Sequence, residues 1–293
     1  MLIINPLIGS WREFQTIVFA RAKYSTLHLL TPSQANVEDR SPKSSLRSYC
    51  YPNNSLSKNP SLLDNIDIDK TLNSLKKDGF SLGINLPKTI VQKIWKSALN
   101  TPCYGNGDNQ LSFYYADKEP AEAKHGQPFF YGEYDNTALF CPLIKQLEND
   151  PILLEIASKY LETKPVHLGS RLWWNFSVES SIYERRHAAQ KFHAHLDDSR
   201  SLRFLFYITD VDLCSSPYVC VRGSHIKKKL SHRFLTRGQS HQEIRAYYGY
   251  ENIVPICGKA GFGFVENPRC FHKENPPGSK DRLTLQIEFA TKI

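Results

Sequence analysis

The sequence predicts a mainly β fold with flanking helices, a jelly-roll or cupin-like barrel with N-terminal helices packed outside it. Three observations predict this. Helical periodicity is concentrated in the N-terminal half. From residue 166 onward, short apolar runs recur between turn residues at a spacing that suits strands. One of these runs, Phe192-His193-Ala194-His195-Leu196-Asp197-Asp198, carries potential metal ligands at alternate positions. In an extended strand, alternate side chains share one face.

The elements follow in chain order. Residues 1–65 read as an extension. Trp11, Phe14, Ile17, Val18 and Ala22 sit at helical spacing, which predicts an amphipathic helix over 10–22. It reads as a packing helix at the domain's edge, with a transit or membrane-surface helix as the alternative. Residues 32–62, rich in Ser, Asn, Pro and Lys, read as a linker. The main domain is expected over 66–293. Asp69 to Asp78 reads as a helix stopped by Gly79, followed by a strand from Phe80. Leu86-Pro87 opens a second helix, with proline in its first turn and Ile90, Val91, Ile94, Trp95, Ala98 and Leu99 as its apolar face. The aromatic, turn-rich stretch 101–138 reads either as a long lid or pocket wall or as a cover on one edge of a sheet. Helices follow at 142–149 and 151–162. Strands are then expected at 171–176, 192–197, 202–208, 218–221, 261–265 and 283–289, interrupted by a polar, basic helical stretch at 226–248. The run Leu202 to Ile208 is apolar enough to be central.

Composition narrows the function classes. With 293 residues, 41% hydrophobic and 23% charged, the chain has the make-up of an ordinary globular protein with ample material for a core. No apolar run is long enough to predict a transmembrane helix. The net charge of +8 is spread out and carries no nucleic-acid-binding motif. It favours an anionic small-molecule substrate, or is simply solvated, rather than marking a nucleic-acid partner. The cysteine count is odd at seven, with no Cys-x-x-Cys pair, which predicts a reducing, cytoplasmic setting.

The chemistry-bearing residues start from His193, His195 and Asp197. A His-x-His or His-x-Asp pair on a strand points both groups at one spot, which is how a short backbone segment holds two ligands of a non-haem iron site. The distal ligand candidate is His272. Ten residues further on, Arg282 is placed to hold a co-substrate carboxylate as a bidentate pair.

The chain resembles the phytanoyl-CoA dioxygenase family of iron(II)- and 2-oxoglutarate-dependent oxygenases. The resemblance runs from about 66 to 290. It rests on Leu172-Trp173-Trp174, Ala189-Gln190-Lys191-Phe192-His193, Tyr207-Ile208-Thr209-Asp210-Val211-Asp212, Val221-Arg222-Gly223-Ser224-His225, and Gly261-Phe262-Gly263-Phe264 through His272 to Arg282. It implies a double-stranded β-helix and hydroxylation of a small organic substrate with release of succinate and CO2. The cofactors it implies are Fe(II) and 2-oxoglutarate. His193 maps to the first metal ligand, His272 to the distal one, and Arg282 to the carboxylate clamp, with Thr284 adding a hydroxyl. Tyr207, Gln190 and Asn175 are further candidate donors to the co-substrate. His225 is read as part of a turn.

One position departs from the family pattern: its aspartate ligand falls on His195. Three readings stay open. The metal is held by His193, His195 and His272; or the pair slips to His195-x-Asp197, which keeps the strand face; or the site no longer turns over. Accordingly, the alternatives to an oxygenase are a catalytically degenerate ligand-binding member of the same fold and a three-histidine metal enzyme that does not use 2-oxoglutarate.

Overall fold

The structure is a computed structural model that describes residues 60–177, 191–195, 200–229, 238–274 and 279–292. The proposed N-terminal helix, Gln190 and Asp197 lie outside the described residues.

Helix α1 (Ile68–Asp78) starts where the Asp67 side chain accepts from the Lys70 N–H, and stops at Gly79, whose φ of +86° only glycine adopts without strain. Strand β1 (Phe80–Leu82) follows. Helix α2 (Lys88–Leu99) buries Ile90, Val91, Ile94 and Ala98, as its periodicity predicts. Pro87 is its N-cap rather than a first-turn residue, because its extended ψ of 143° lies outside the helix.

The stretch 101–138 is not one long lid. It forms β2 (Cys103–Gly105), β3 (Ser112–Phe113), a short helix α3 (Lys118–His125) and β4 (Tyr131–Tyr134), which pair into the edge of a sheet. Phe113, Phe129 and Tyr134 are buried there as core. Three short helices complete this half: α4 (Thr137–Phe140), α5 (Pro142–Leu147) and α6 (Pro151–Leu161). Asp150 caps α6 through the N–H groups of Ile152 and Leu153.

The remaining strands are β5 (Val166–Asn175), β6 (Ser201–Tyr207), β7 (Tyr218–Val221), β8 (Ile253–Ile256), β9 (Gly263–Glu266), β10 (His272–Glu274) and β11 (Arg282–Ala290). Of the basic helical stretch expected at 226–248, residues 226–229 are not helical, 230–237 lie outside the described residues, and His241–Tyr248 forms α7, set by a Ser240/Glu243 capping box. Of the strand expected at 192–197, residues 192–195 are described and carry only isolated bridges. Phe192 and His193 form single antiparallel bridges to Gln239 and His272.

Two sheets result. The larger runs β1-β9-β6-β11-β5-β4-β2-β3, and the smaller runs β10-β7-β8. This is the expected fold class, a barrel of two antiparallel sheets with helices outside. The larger sheet's outer face carries the helices. Leu283, Leu285, Ile287 and Phe289 of β11 share one buried cluster with Leu72 and Leu75 of α1, Ile94 of α2, and Ile156 and Leu161 of α6. The inner faces meet through Trp173, Leu205, Tyr207 and Phe264 on one side and Tyr218, Cys220 and Ile256 on the other.

Parity along β11 separates the two faces. Its odd-numbered residues are apolar and belong to the helix-facing core. Its even-numbered residues, the polar Arg282, Thr284, Gln286 and Glu288 and the terminal Ala290, point the other way, as the period of a strand requires. The polar ones stand opposite Asn175, Trp173 and Arg171 of β5, and opposite Tyr207, Leu205 and Arg203 of β6. The interior-facing side of β11 therefore carries polar groups within a barrel otherwise lined by apolar residues, and its helix-facing side is apolar.

Gly263 closes the barrel beside α2. Its carbonyl accepts from the N–H groups of Gly83 and Ile84, and a Cβ there meets the Ile84 carbonyl oxygen at 2.1 Å. Backbone cannot yield as a flexible side chain does. Gly263→Ala is expected to destabilise the protein by about 2–3 kcal/mol, read as a lower urea midpoint at unchanged slope. An unaltered midpoint shows that the crossing opens without cost.

Candidate metal centre

Three imidazoles converge on the inner face of the smaller sheet. His193 and His272 exchange backbone hydrogen bonds of 3.0 and 2.9 Å, so they are a directly opposed pair with side chains on one face. His195 lies two residues on and is fixed by its N–H to the Pro268 carbonyl, 2.9 Å. Candidate ligand atoms of His193, His195 and His272 lie within 4.8 Å of one another.

Their hydrogen bonds assign the protons. His272 Nδ1 is 2.9 Å from the Cys270 carbonyl and His193 Nδ1 is 3.3 Å from the Lys191 carbonyl. A carbonyl only accepts, so both rings donate from Nδ1 and keep a lone pair on Nε2, the arrangement that orients metal-binding histidines. Tyr218 stacks on His272 at 5.6 Å and 15°, holding the ring's plane. Burial pushes the His272 imidazole well below its ordinary value, assisted by His193 and His195. Burial, with His195 and Arg203 nearby, takes His193 down to about 4. Both are neutral at physiological pH, the form a metal ligand needs.

His195 differs. Its Nδ1 is 3.3 Å from Arg203 Nη2. A guanidinium only donates, so Nδ1 accepts and the proton sits on Nε2. Arg203, on β6, is braced by Glu288 at 3.1 Å and Glu266 at 3.9 Å. Glu266 is wholly buried and accepts from the Tyr218 hydroxyl at 2.7 Å, and burial raises its carboxyl. The donor set fits a divalent transition metal of imidazole preference. His193 and His272 are preset for it, and His195 joins through Nδ1 only by exchanging its contact with Arg203.

The predicted clamp is tied to the same strand as His272, because Arg282 pairs with Glu274, two residues on from it. Arg282 is 1% exposed. It donates from Nη1 to the Ser216 carbonyl and from Nη2 to Asn175 Oδ1, and it pairs with Glu274 at 3.1 Å. Its Nε–H and the hydroxyl of Thr284, two residues along the same face, are buried with no hydrogen-bond partner among the described residues. Two orphaned polar groups on one face of a strand fit an absent carboxylate.

The other candidates fall as follows. Asn175 holds protein groups: its Oδ1 accepts from Trp173 Nε1 as well as Arg282, and its Nδ2 donates to Glu274 at 2.8 Å. It positions the Arg282 guanidinium. The reading of Tyr207 as a co-substrate donor is corrected, because its hydroxyl hydrogen is committed to the Ile256 carbonyl at 2.8 Å across the barrel. Trp173 lines the interior, whereas Trp174 is helix-side core, donating to the Tyr134 hydroxyl. His225 contacts the Lys76 carbonyl and Cys270 Sγ, a structural position.

Sequence reasoning missed Arg203, Glu266, Glu274 and Glu288. Their signal is a charge set into an otherwise apolar strand, such as Arg203 within Leu202-Arg203-Phe204-Leu205-Phe206, where an unpaired charge is rarely tolerated.

No protein-family model matches the chain, and no curated protein matches it. Solved structures do. EvdO2 from Micromonospora carbonacea var. aurantiaca, complexed with 2-oxoglutarate, aligns with a TM-score of 0.55 at 12% identity, over 79% of this chain and 94% of its own. The epimerase SnoN, in complex with Fe3+, alpha ketoglutarate and nogalamycin RO, aligns at 0.52 and 12%, over 76% and 82%. EctD from S. alaskensis, with 2-oxoglutarate and 5-hydroxyectoine, aligns at 0.51 and 17%, over 79% and 80%. The chain has the fold of these enzymes. At such identities the likeness is one of fold, and function has to be argued from the site. No helix among the described residues is long and apolar enough to cross a membrane.

Proposed function

We propose that this protein is a non-haem iron(II)- and 2-oxoglutarate-dependent oxygenase of the phytanoyl-CoA dioxygenase type. In this reading it hydroxylates a small organic substrate and releases succinate and CO2. The observation that carries the reading is the placement, in one barrel, of three convergent imidazoles and a buried arginine whose Nε–H, like a threonine hydroxyl two residues along the strand, has no hydrogen-bond partner among the described residues. That the EvdO2, SnoN and EctD structures contain 2-oxoglutarate or alpha ketoglutarate on the same fold adds to it.

His193 and His272 hold the metal through Nε2, their Nδ1–H groups tied to backbone carbonyls. His195 is the third ligand. Arg282 Nε and the Thr284 hydroxyl donate to the far carboxylate of the co-substrate, while Asn175 keeps the guanidinium in plane. Trp173 and Tyr207 wall the cavity, and their apolar surfaces exclude water from it. The metal and oxo acid, when bound, supply the oxidising power; the chain supplies position and shielding.

An anaerobic titration with iron(II) and then 2-oxoglutarate tests this. A weak visible charge-transfer band from the chelated oxo acid is the expected result. Iron binding without the band moves the assignment to a three-histidine metal enzyme that does not use 2-oxoglutarate, a reading the Glu274 contact on Arg282 favours. Failure to bind iron leaves a catalytically degenerate, ligand-binding relative.

A further inference from the structure

Glu274 is the acid paired with Arg282. It follows His272 by two residues on β10 and therefore points to the same side. Its carboxylate lies 3.1 Å from Arg282 Nη2 and 2.8 Å from Asn175 Nδ2. Its side chain is 19% exposed, whereas that of Arg282 is 1% exposed, so the acid stands on the outer side of the base.

The guanidinium thus has two unequal edges. The Nη edge is filled by the chain's own oxygens: the Ser216 carbonyl, Asn175 Oδ1 and Glu274. The Nε–H, like Thr284 Oγ1 two residues along the strand, is buried with no hydrogen-bond partner among the described residues. A carboxylate paired with that Nε–H would find its positive partner already neutralised by a second carboxylate on the same guanidinium. An arginine with only neutral neighbours lacks this internal rival.

We propose that Glu274 is a specificity-determining residue of the oxo-acid pocket, weakening the selection for a second carboxylate and so admitting 2-oxo acids whose far end is uncharged. The proposal rests on the reading of Arg282 as the co-substrate clamp. Two like charges close together in a poorly solvated cavity repel strongly enough to change a binding constant about tenfold or more. An uncharged chain end is spared that repulsion, since it meets Glu274 and Arg282 as a neutral pair.

Binding isotherms of the full chain loaded with manganese(II) test the proposal, with 2-oxoglutarate and 2-oxopentanoate as ligands. The second acid has a methyl group where the first has its far carboxylate. Glu274→Gln keeps the shape and the contact with Asn175 but removes the charge. It is expected to tighten 2-oxoglutarate about tenfold and to leave 2-oxopentanoate within twofold. Glu274→Asp, which keeps the charge but shortens the reach, is expected to stay nearer the wild-type ratio and guards against a folding artefact in the first variant. The proposal is overturned if the ratio of the two affinities stays unchanged in Glu274→Gln, or if both acids weaken together, which is the mark of a residue that merely orients Arg282. If neither acid binds any of the three proteins, the co-substrate reading itself has failed and this proposal with it.

Discussion

His272→Ala lowers the affinity for iron(II) or cobalt(II) by more than about 100-fold. Loss of an outer partner of a ligating histidine already costs 10- to 100-fold, and this ring is itself a ligand in the proposed site. It is also the most firmly held of the three, between the Cys270 carbonyl and the Tyr218 ring. His195→Ala is expected to cost only about tenfold, because its Nδ1 already accepts from Arg203 and must be released before it can bind. The order of the two variants is the informative result. Cobalt(II) absorption followed by equilibrium dialysis measures it, with circular dichroism to show that both variants fold. If His195→Ala proves as damaging as His272→Ala, Arg203 does not hold that ring in the metal-bound protein. If His272→Ala keeps its metal, the centre lies elsewhere.

Arg282→Met destabilises the fold and removes 2-oxoglutarate binding together. The guanidinium is 1% exposed and serves Ser216, Asn175 and Glu274 at once. Removing one member of a buried ion pair leaves the other uncompensated, at about 3–5 kcal/mol. In a domain of this size that corresponds to roughly a 10 °C fall in Tm. Glu274→Gln added to Arg282→Met is expected to recover a good part of the stability, because the stranded charge is gone, yet none of the binding. A double-mutant cycle by thermal unfolding reads the coupling. Additive losses show that the two side chains do not sense each other.

Much of the fold could be read from the chain because its signals are periodic. The alternation of β11 and the helical faces of α1, α2 and α6 each repeat over several residues, so pattern outweighs the noise of single positions. The 101–138 segment was harder. Its strands are two to four residues long and take their register from β5, a partner far along the chain. The stretch at 226–248 reads as helical throughout, but only the part after the Ser240 cap is described as helix. In the site, His193, His195, His272, Arg282 and Thr284 carry a spacing that announces them. Arg203 and Glu266 do not, because they are brought together by the pairing of β6 with β9. Their relation exists only in cross-strand register, which no linear spacing encodes.

The strict parity of β11 also bears on how such a protein changes over generations. Its apolar positions answer to the helices and are held by packing. Its polar positions face the barrel interior, opposite β5 and β6. Two selective pressures act on one strand without sharing a residue. New chemistry can therefore be written into alternate letters of a nine-residue segment while the intervening letters, and the architecture they secure, stay as they were.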